Sequence, residues 1–221
     1  MFRFIIRGLA VFCLGSTMAC NASSAAVKIP NPVTDEPAAK SKGSATVVLA
    51  GGCFWGIQAV FKHVKGVTDV TAGYSGGSAD TAEYETVSTG RTGHAESVRI
   101  VYDPSQVSYG QLLKVYFSVA HDPTELNRQG PDYGTQYRSS IFYANDEQKR
   151  IALAYIDQLN LAKVFSQPIV TQVVALKAFY PAEAYHQDYA VHHPNEPYIA
   201  INDLPKVEHL RQLLPELYVG K

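Results

Sequence analysis

One cysteine in the body of this chain stands where a nucleophile could act. Cys53 lies in Gly51-Gly52-Cys53-Phe54-Trp55-Gly56, after a short apolar run, 46–50 (TVVLA). Behind it Phe54, Ile57, Phe61 and Val64 recur at roughly helical spacing. A thiol at such a strand-to-helix junction faces the positive end of the helix, which favours thiolate over thiol. Gly51 and Gly52 permit a tight turn and close approach of a ligand to the backbone. Two readings stay open on these residues alone, a reactive thiol or the small buried core residue that most free cysteines are.

Three polar clusters could meet this thiol. Glu83-Tyr84-Glu85 sits in a loop ahead of a strand candidate, and Gly93-His94-Ala95-Glu96 enters the run 97–102 (SVRIVY). Asp132-Tyr133-Gly134-Thr135-Gln136-Tyr137-Arg138 leads into 139–144 (SSIFYA). Taken singly, each reads as solvated loop. Their shared placement at strand entrances is what allows convergence.

The elements that must position these groups follow from periodicity and punctuation. Strands are expected at 46–50, 70–74, 97–102, 139–144 and 170–176, where apolar or alternating runs end in turn residues. Helices are expected after Cys53, from Ser108 with a capping-box pattern through Gln111, and from Asn145. A short helix is expected over 181–189, and a terminal one carries Val207, Leu210 and Leu214 and closes at Pro215. This order predicts an α+β fold with a ferredoxin-like split β-α-β core, its mixed sheet covered by helices, and additional C-terminal elements.

Composition narrows the setting. A formal charge of -1 gives no reason to expect nucleic acid or an acidic membrane surface as partner. No run after residue 26 is long and apolar enough to span a bilayer. Arg3 and Arg7 precede an uncharged, largely apolar stretch, 8–19, which is the layout of an export signal over 1–26. Ser24-Ala25-Ala26 suits an ordinary signal peptidase. Cys20 after Ser16-Thr17-Met18-Ala19 resembles a lipoprotein signal in which Thr17 replaces the usual Leu, and an uncleaved anchor is the third reading. Periplasm or cell envelope, with attachment through a lipid or anchor only, is the expected location. Residues 27–45 read as a flexible tether and 46–221 as the domain, expected to be monomeric. With Cys13 and Cys20 in the signal, Cys53 is alone in the domain, which excludes an internal disulfide or a Cys-x-x-Cys site.

GCFWG, GYSGG, EYE, TGRTGHAE, HDPTELNRQGPDYGTQYRS and FYPAEAYHQDY occur in this order. Together they closely resemble the A-type peptide-methionine sulfoxide reductases over about Val47 to Ile201. The resemblance implies reduction of the S-epimer of methionine sulfoxide, free or in oxidised proteins, without bound metal or flavin. It implies Cys53 as nucleophile, Glu96 as acid, and Tyr84 and Tyr137 as phenols aimed at the sulfoxide oxygen. Phe54 and Trp55 match the wall that receives the methyl group, Asp132 a supporting carboxylate, and His186 and Tyr189 fall in a matching segment. His94 and His121 read as hydrogen-bonded scaffold. Many relatives carry resolving cysteines near the C-terminus, whereas 192–221 contains none. The implied turnover therefore needs an external thiol reductant, thioredoxin-, glutaredoxin- or glutathione-like.

Chemistry agrees with those roles. Oxygen leaves a sulfoxide poorly unless protonated, so Glu96 must be neutral near pH 7, which desolvation achieves. Phenols can donate as charge develops on oxygen, and an aromatic wall orients the methylsulfinyl group. Loss of oxygen leaves a sulfenic acid on Cys53. Two rivals remain: a cysteine hydrolase or acyltransferase activated by His94 or His186, and a module that grips oxidised methionine without turnover.

Overall fold

The structure is a computed structural model that describes residues 26–220. Residues 1–25 of the expected export signal, with Cys13 and Cys20, lie outside the described residues. In chain order the elements are β1 (Ala45–Ala50), α1 (Phe54–Lys62), β2 (Val67–Ser75), α2 (Tyr84–Val87), β3 (Ala95–Tyr102) and α3 (Tyr109–Val115). The hairpin strands β4 (Arg128–Gln129) and β5 (Asp132–Tyr133) follow, then β6 (Ser140–Tyr143), α4 (Asp146–Leu161), β7 (Gln172–Ala175), β8 (Phe179–Pro181), α5 (Tyr189–His192) and α6 (Leu204–Leu213).

One six-stranded sheet runs β7-β6-β1-β3-β2-β8. Strand β3 lies between β1 and β2 and is antiparallel to both, so β1-α1-β2 is the split β-α-β unit expected from the sequence. With β6 antiparallel to β1, the core order is that of a ferredoxin-like fold. Strand β7 joins parallel to β6, which makes the sheet mixed. Strand alternation decides the two faces. Val47 and Leu49 of β1 join the main core with Ile57 and Phe61 of α1 and Leu112 and Leu113 of α3. Val48 and Ala50 point the other way, to a small cluster with Ala95 and Phe142.

Local signals set the helix starts. Ser108 and Gln111 form a reciprocal capping box on α3, and Asn145 accepts the amide of Gln148 to cap α4. Residues 181–189 differ from expectation. They do not form one helix: β8 takes Pro181 onto the sheet edge beside β2, a tight turn covers Ala184–His186, and Asp188 has φ 57. A left-handed aspartate breaks helical continuity before Tyr189.

The expected tether also differs. Ile29 is 4 % exposed and belongs to the main core, and Val27 exchanges hydrogen bonds with Ser118. Asp35 accepts from the Gly110 amide at 2.8 Å and from the Ser108 hydroxyl, while Glu36 accepts from the Tyr109 amide at 2.8 Å. The composition that reads as solvated chain is instead a strap, because its carboxylates satisfy the free amides of the first turn of α3.

Candidate active site

Cys53 occupies the N-cap of α1, three residues beyond the end of β1. The turn that delivers it depends on Gly52, whose φ of +93 is left-handed and whose missing side chain leaves room for Gln129. Gly56, one turn into α1, lets α6 approach: a Cβ there would meet Asp203 Cγ at 2.8 Å. Cys53 is 8 % exposed and is the one free cysteine among the described residues.

Sheet register carries Glu96 to this junction. Glu96 lies two residues before Val98, the partner of Leu49 on β1, and opposite Tyr74 on β2. It is 2 % exposed, and its Oε2 accepts the Phe54 amide at 3.1 Å. The helix amide that could serve the thiol therefore serves the carboxyl. Burial raises the Glu96 pKa to about 8, with the Phe54 amide opposing and Asp132 and Asp203 adding to the rise. Glu96 thus keeps its proton at pH 7.

Electrostatics at Cys53 correct one expectation. Burial, then the carboxyls of Glu96 and Asp203, push the thiol well above the usual cysteine range, and the Trp55 amide offsets only part of this. A helix N-terminus supplies one amide to the sulfur, whereas desolvation acts on the whole charge of a thiolate. The resting group is a thiol.

The GTQYR segment is fastened to both neighbouring clusters. Arg138 donates to the carbonyls of Gly93 and His94, Thr135 Oγ1 to Gly90 and Gln136 Nε2 to Ser88. Tyr137 is thereby fixed beside α2, which starts at Tyr84, and beside the entrance of β3. Burial and then the proximity of Glu96 raise both phenols, with Cys53 a further contributor to each. Both remain hydrogen-bond donors at neutral pH.

An aromatic enclosure forms the remaining wall. The Trp55 ring stacks on Tyr189 at 3.9 Å and 9°, meets Tyr198 edge-on at 6.1 Å, and donates from Nε1 to His186 Nδ1 at 3.2 Å. Phe54 is 1 % exposed and packs against Tyr74 and His186, so it is core as well as wall. His186 also lies 4.4 Å from the Tyr84 ring. Asp132 accepts the Tyr198 hydroxyl, and burial raises its pKa while Tyr198 and Lys206 oppose the rise.

All nine site residues singled out in the sequence thus fall around one junction. Tyr198, Glu183 and the buried pair Asp203–Lys206 were not among them. The signal that could have found Tyr198 is weak: an aromatic following Pro197 in a polar stretch, with nothing in its spacing to tie it to Asp132. His94 bonds Gly77 and Ser78, and His121 bonds Tyr116 and Ser139. Burial lowers His121 to about 3. With His94 engaged by that loop and His186 by Trp55, no imidazole is hydrogen-bonded to the thiol among the described residues, which argues against the hydrolase reading. No group of three or more His, Cys, Asp or Glu that could hold a metal ion occurs among the described residues, and no helix there is long and apolar enough to cross a membrane.

The sequence model of the family described as peptide methionine sulfoxide reductase matches residues 45–216. The chain belongs to that family. It is 64 % identical over 187 residues to peptide methionine sulfoxide reductase MsrA 2 of Mesorhizobium japonicum, covering 85 % of this chain and 95 % of that one. Against MsrA 2 of Synechocystis it is 55 % identical over 186 residues, covering 83 % and 87 %. Among solved structures, methionine sulfoxide reductase A of Corynebacterium diphtheriae superposes with a TM-score of 0.60 at 34 % identity, covering 78 % and 90 %. Reduced Mxr1 of Saccharomyces cerevisiae gives 0.62 at 30 % identity, covering 71 % and 92 %. The peptide methionine sulfoxide reductase fold and its α+β class are thus shared well beyond the motif segments.

Proposed function

We infer that this protein reduces methionine sulfoxide to methionine, acting on the S-epimer in oxidised proteins and as the free amino acid. The observation that carries the reading is the buried, proton-bearing Glu96 held at the N-terminus of the helix that Cys53 caps. Cys53 sulfur attacks the sulfoxide sulfur, and Glu96 protonates the oxygen as its bond to that sulfur breaks. Tyr84 and Tyr137 donate to the same oxygen while charge develops. The protonated oxygen is transferred to the Cys53 sulfur as the new S–S bond breaks, its electron pair leaving with methionine as the thioether, and the thiol proton replaces the one Glu96 gave. The balance is Cys53–SH plus sulfoxide giving Cys53–SOH plus thioether. Trp55, supported by Tyr189 and Tyr198, receives the methyl group, and Phe54 backs it; Asp132 orients Tyr198, and His186 orients the indole.

Turnover then requires an external thiol, because Cys53 is the one cysteine in the domain. Two successive thiols reduce the sulfenic acid, giving water and a disulfide of the reductant. Export to the periplasm or cell envelope, through an ordinary signal, a lipid on Cys20 or an uncleaved anchor, is supported by Arg3, Arg7 and the apolar stretch behind them.

One assay tests the reading. With dithiothreitol supplied, the protein should consume many equivalents of the S-epimer of methionine sulfoxide and spare the R-epimer. Without reductant, one turnover should leave Cys53 heavier by one oxygen. Stoichiometric binding without consumption would instead establish the non-catalytic module.

A further inference from the structure

A carboxylate outside the set assigned above links two walls of the site. Glu183 lies between β8 and the turn Ala184–His186. Its Oε1 accepts the amide of Tyr84, the first residue of α2, at 2.9 Å, and its Oε2 accepts the Tyr74 hydroxyl at 2.8 Å. The same Oε2 stands 3.9 Å from Nε2 of His186. On the other side of that ring, Nδ1 accepts the Trp55 indole proton, which places the neutral imidazole's own proton on Nε2, toward Glu183. Nε2 is buried and has no hydrogen-bond partner.

We propose that Glu183 is a positioning residue that fixes Tyr84 through its backbone and Trp55 through His186, so that the phenol wall and the methyl-receiving wall are set by one carboxylate. The assignment of those walls rests on the functional reading above; the link itself is geometric. Indole and imidazole are hydrogen-bonded, and the carboxylate stands 3.9 Å from the far nitrogen of the imidazole. A ring shift of about 1 Å would bring Nε2 and Oε2 within hydrogen-bond range, so the chain can tighten when a substrate methyl settles against the indole. The charge states suit the role. Burial opposes ionisation of Glu183, but the Tyr84 amide and Tyr74 hydroxyl hold its carboxyl below the usual range, and burial keeps His186 neutral with Glu183 opposing.

Trp55 is the only tryptophan in the chain, so its fluorescence reads this link without any substrate. Glu183→Ala and Glu183→Gln should both change the Trp55 emission. Both should raise KM for methionine sulfoxide, on the order of tenfold to a hundredfold for Ala, since the loss is one of placement. Gln keeps an acceptor for the Tyr84 amide and should therefore raise KM less than Ala does. Unchanged emission and KM in the two variants would overturn the proposal. So would a lower melting temperature with emission and KM unaltered, which marks a purely structural residue. Should Ala not fold, the near-isosteric Gln variant decides alone. If the unmodified protein fails to turn over methionine sulfoxide, the functional reading fails, while the emission still decides whether Glu183 holds Trp55.

Discussion

The backbone amide of Phe54 donates to Glu96 Oε2 at 3.1 Å, tying the first residue of α1 to the second residue of β3. Helix start and acid are therefore one unit. Glu96→Gln keeps an acceptor for that amide and removes the proton donor. Sulfoxide turnover should fall by about a hundred- to ten-thousand-fold while the fold persists. Steady-state assay alongside circular dichroism checks both halves of that expectation.

The same carboxyl sets an alkaline limit. Glu96 acts in its protonated form, and its pKa in the fold is raised to about 8. Activity should therefore be present below that pH and decline as pH rises through about 8, with the decline seen in kcat/KM for the free enzyme. A profile flat to pH 10 would exclude Glu96 as the proton donor.

Stability follows by linkage. An unfolded Glu ionises near pH 4.3, roughly, so the raised folded pKa contributes stability that is full below that value and lost as pH approaches 8. Removing the titration in Glu96→Gln should stabilise the fold at pH 8, on the order of a few kcal/mol, and less at pH 5. Urea denaturation at the two pH values measures the difference.

The strap gives an independent stability prediction. Asp35→Ala removes acceptors for the Gly110 amide and the Ser108 hydroxyl at the start of α3. The expected loss is about 0.5–2 kcal/mol, the range for a helix cap. Urea denaturation should show it with little change in sulfoxide turnover, because the strap carries no site residue.

Close packing of α6 on α1 is tested at Gly56. Gly56→Ala places a methyl against Asp203 and Lys206, a buried ion pair that cannot swing into solvent. Overpacking of this kind costs about 1–3 kcal/mol, and here it should also disturb the turn that presents Cys53. Both melting temperature and turnover should drop.

Much of this was legible in the sequence, for identifiable reasons. Ser108 and Gln111 are three apart and Cys53 lies between glycines and an apolar helix face, so local spacing carried the capping box and the nucleophile turn. The order of elements pointed to the split β-α-β core because β1 is a short apolar run and β2 and β3 alternate apolar with polar residues, both of which are strand patterns. Strand β8 escaped because three residues, Phe179–Pro181, hold no period. The strap escaped because its hydrogen bonds join Asp35 and Glu36 to residues some seventy positions away. Tyr198 and Glu183 escaped likewise, since only the folded chain brings one to Asp132 and the other to Tyr84. The thiolate expectation failed for a related reason: burial of Cys53 is a tertiary property, and it outweighs the helix end next to it.

A shielded thiol also bears on survival among oxidants. Peroxides and hypochlorous acid attack thiolates at exposed sites most readily, and over-oxidation beyond sulfenic acid is irreversible. A repair enzyme whose sulfur rests protonated and 8 % exposed offers such agents a poor target. Its reactivity is called up by the damaged residue itself, at the moment a sulfoxide fills the pocket and shares the proton of Glu96.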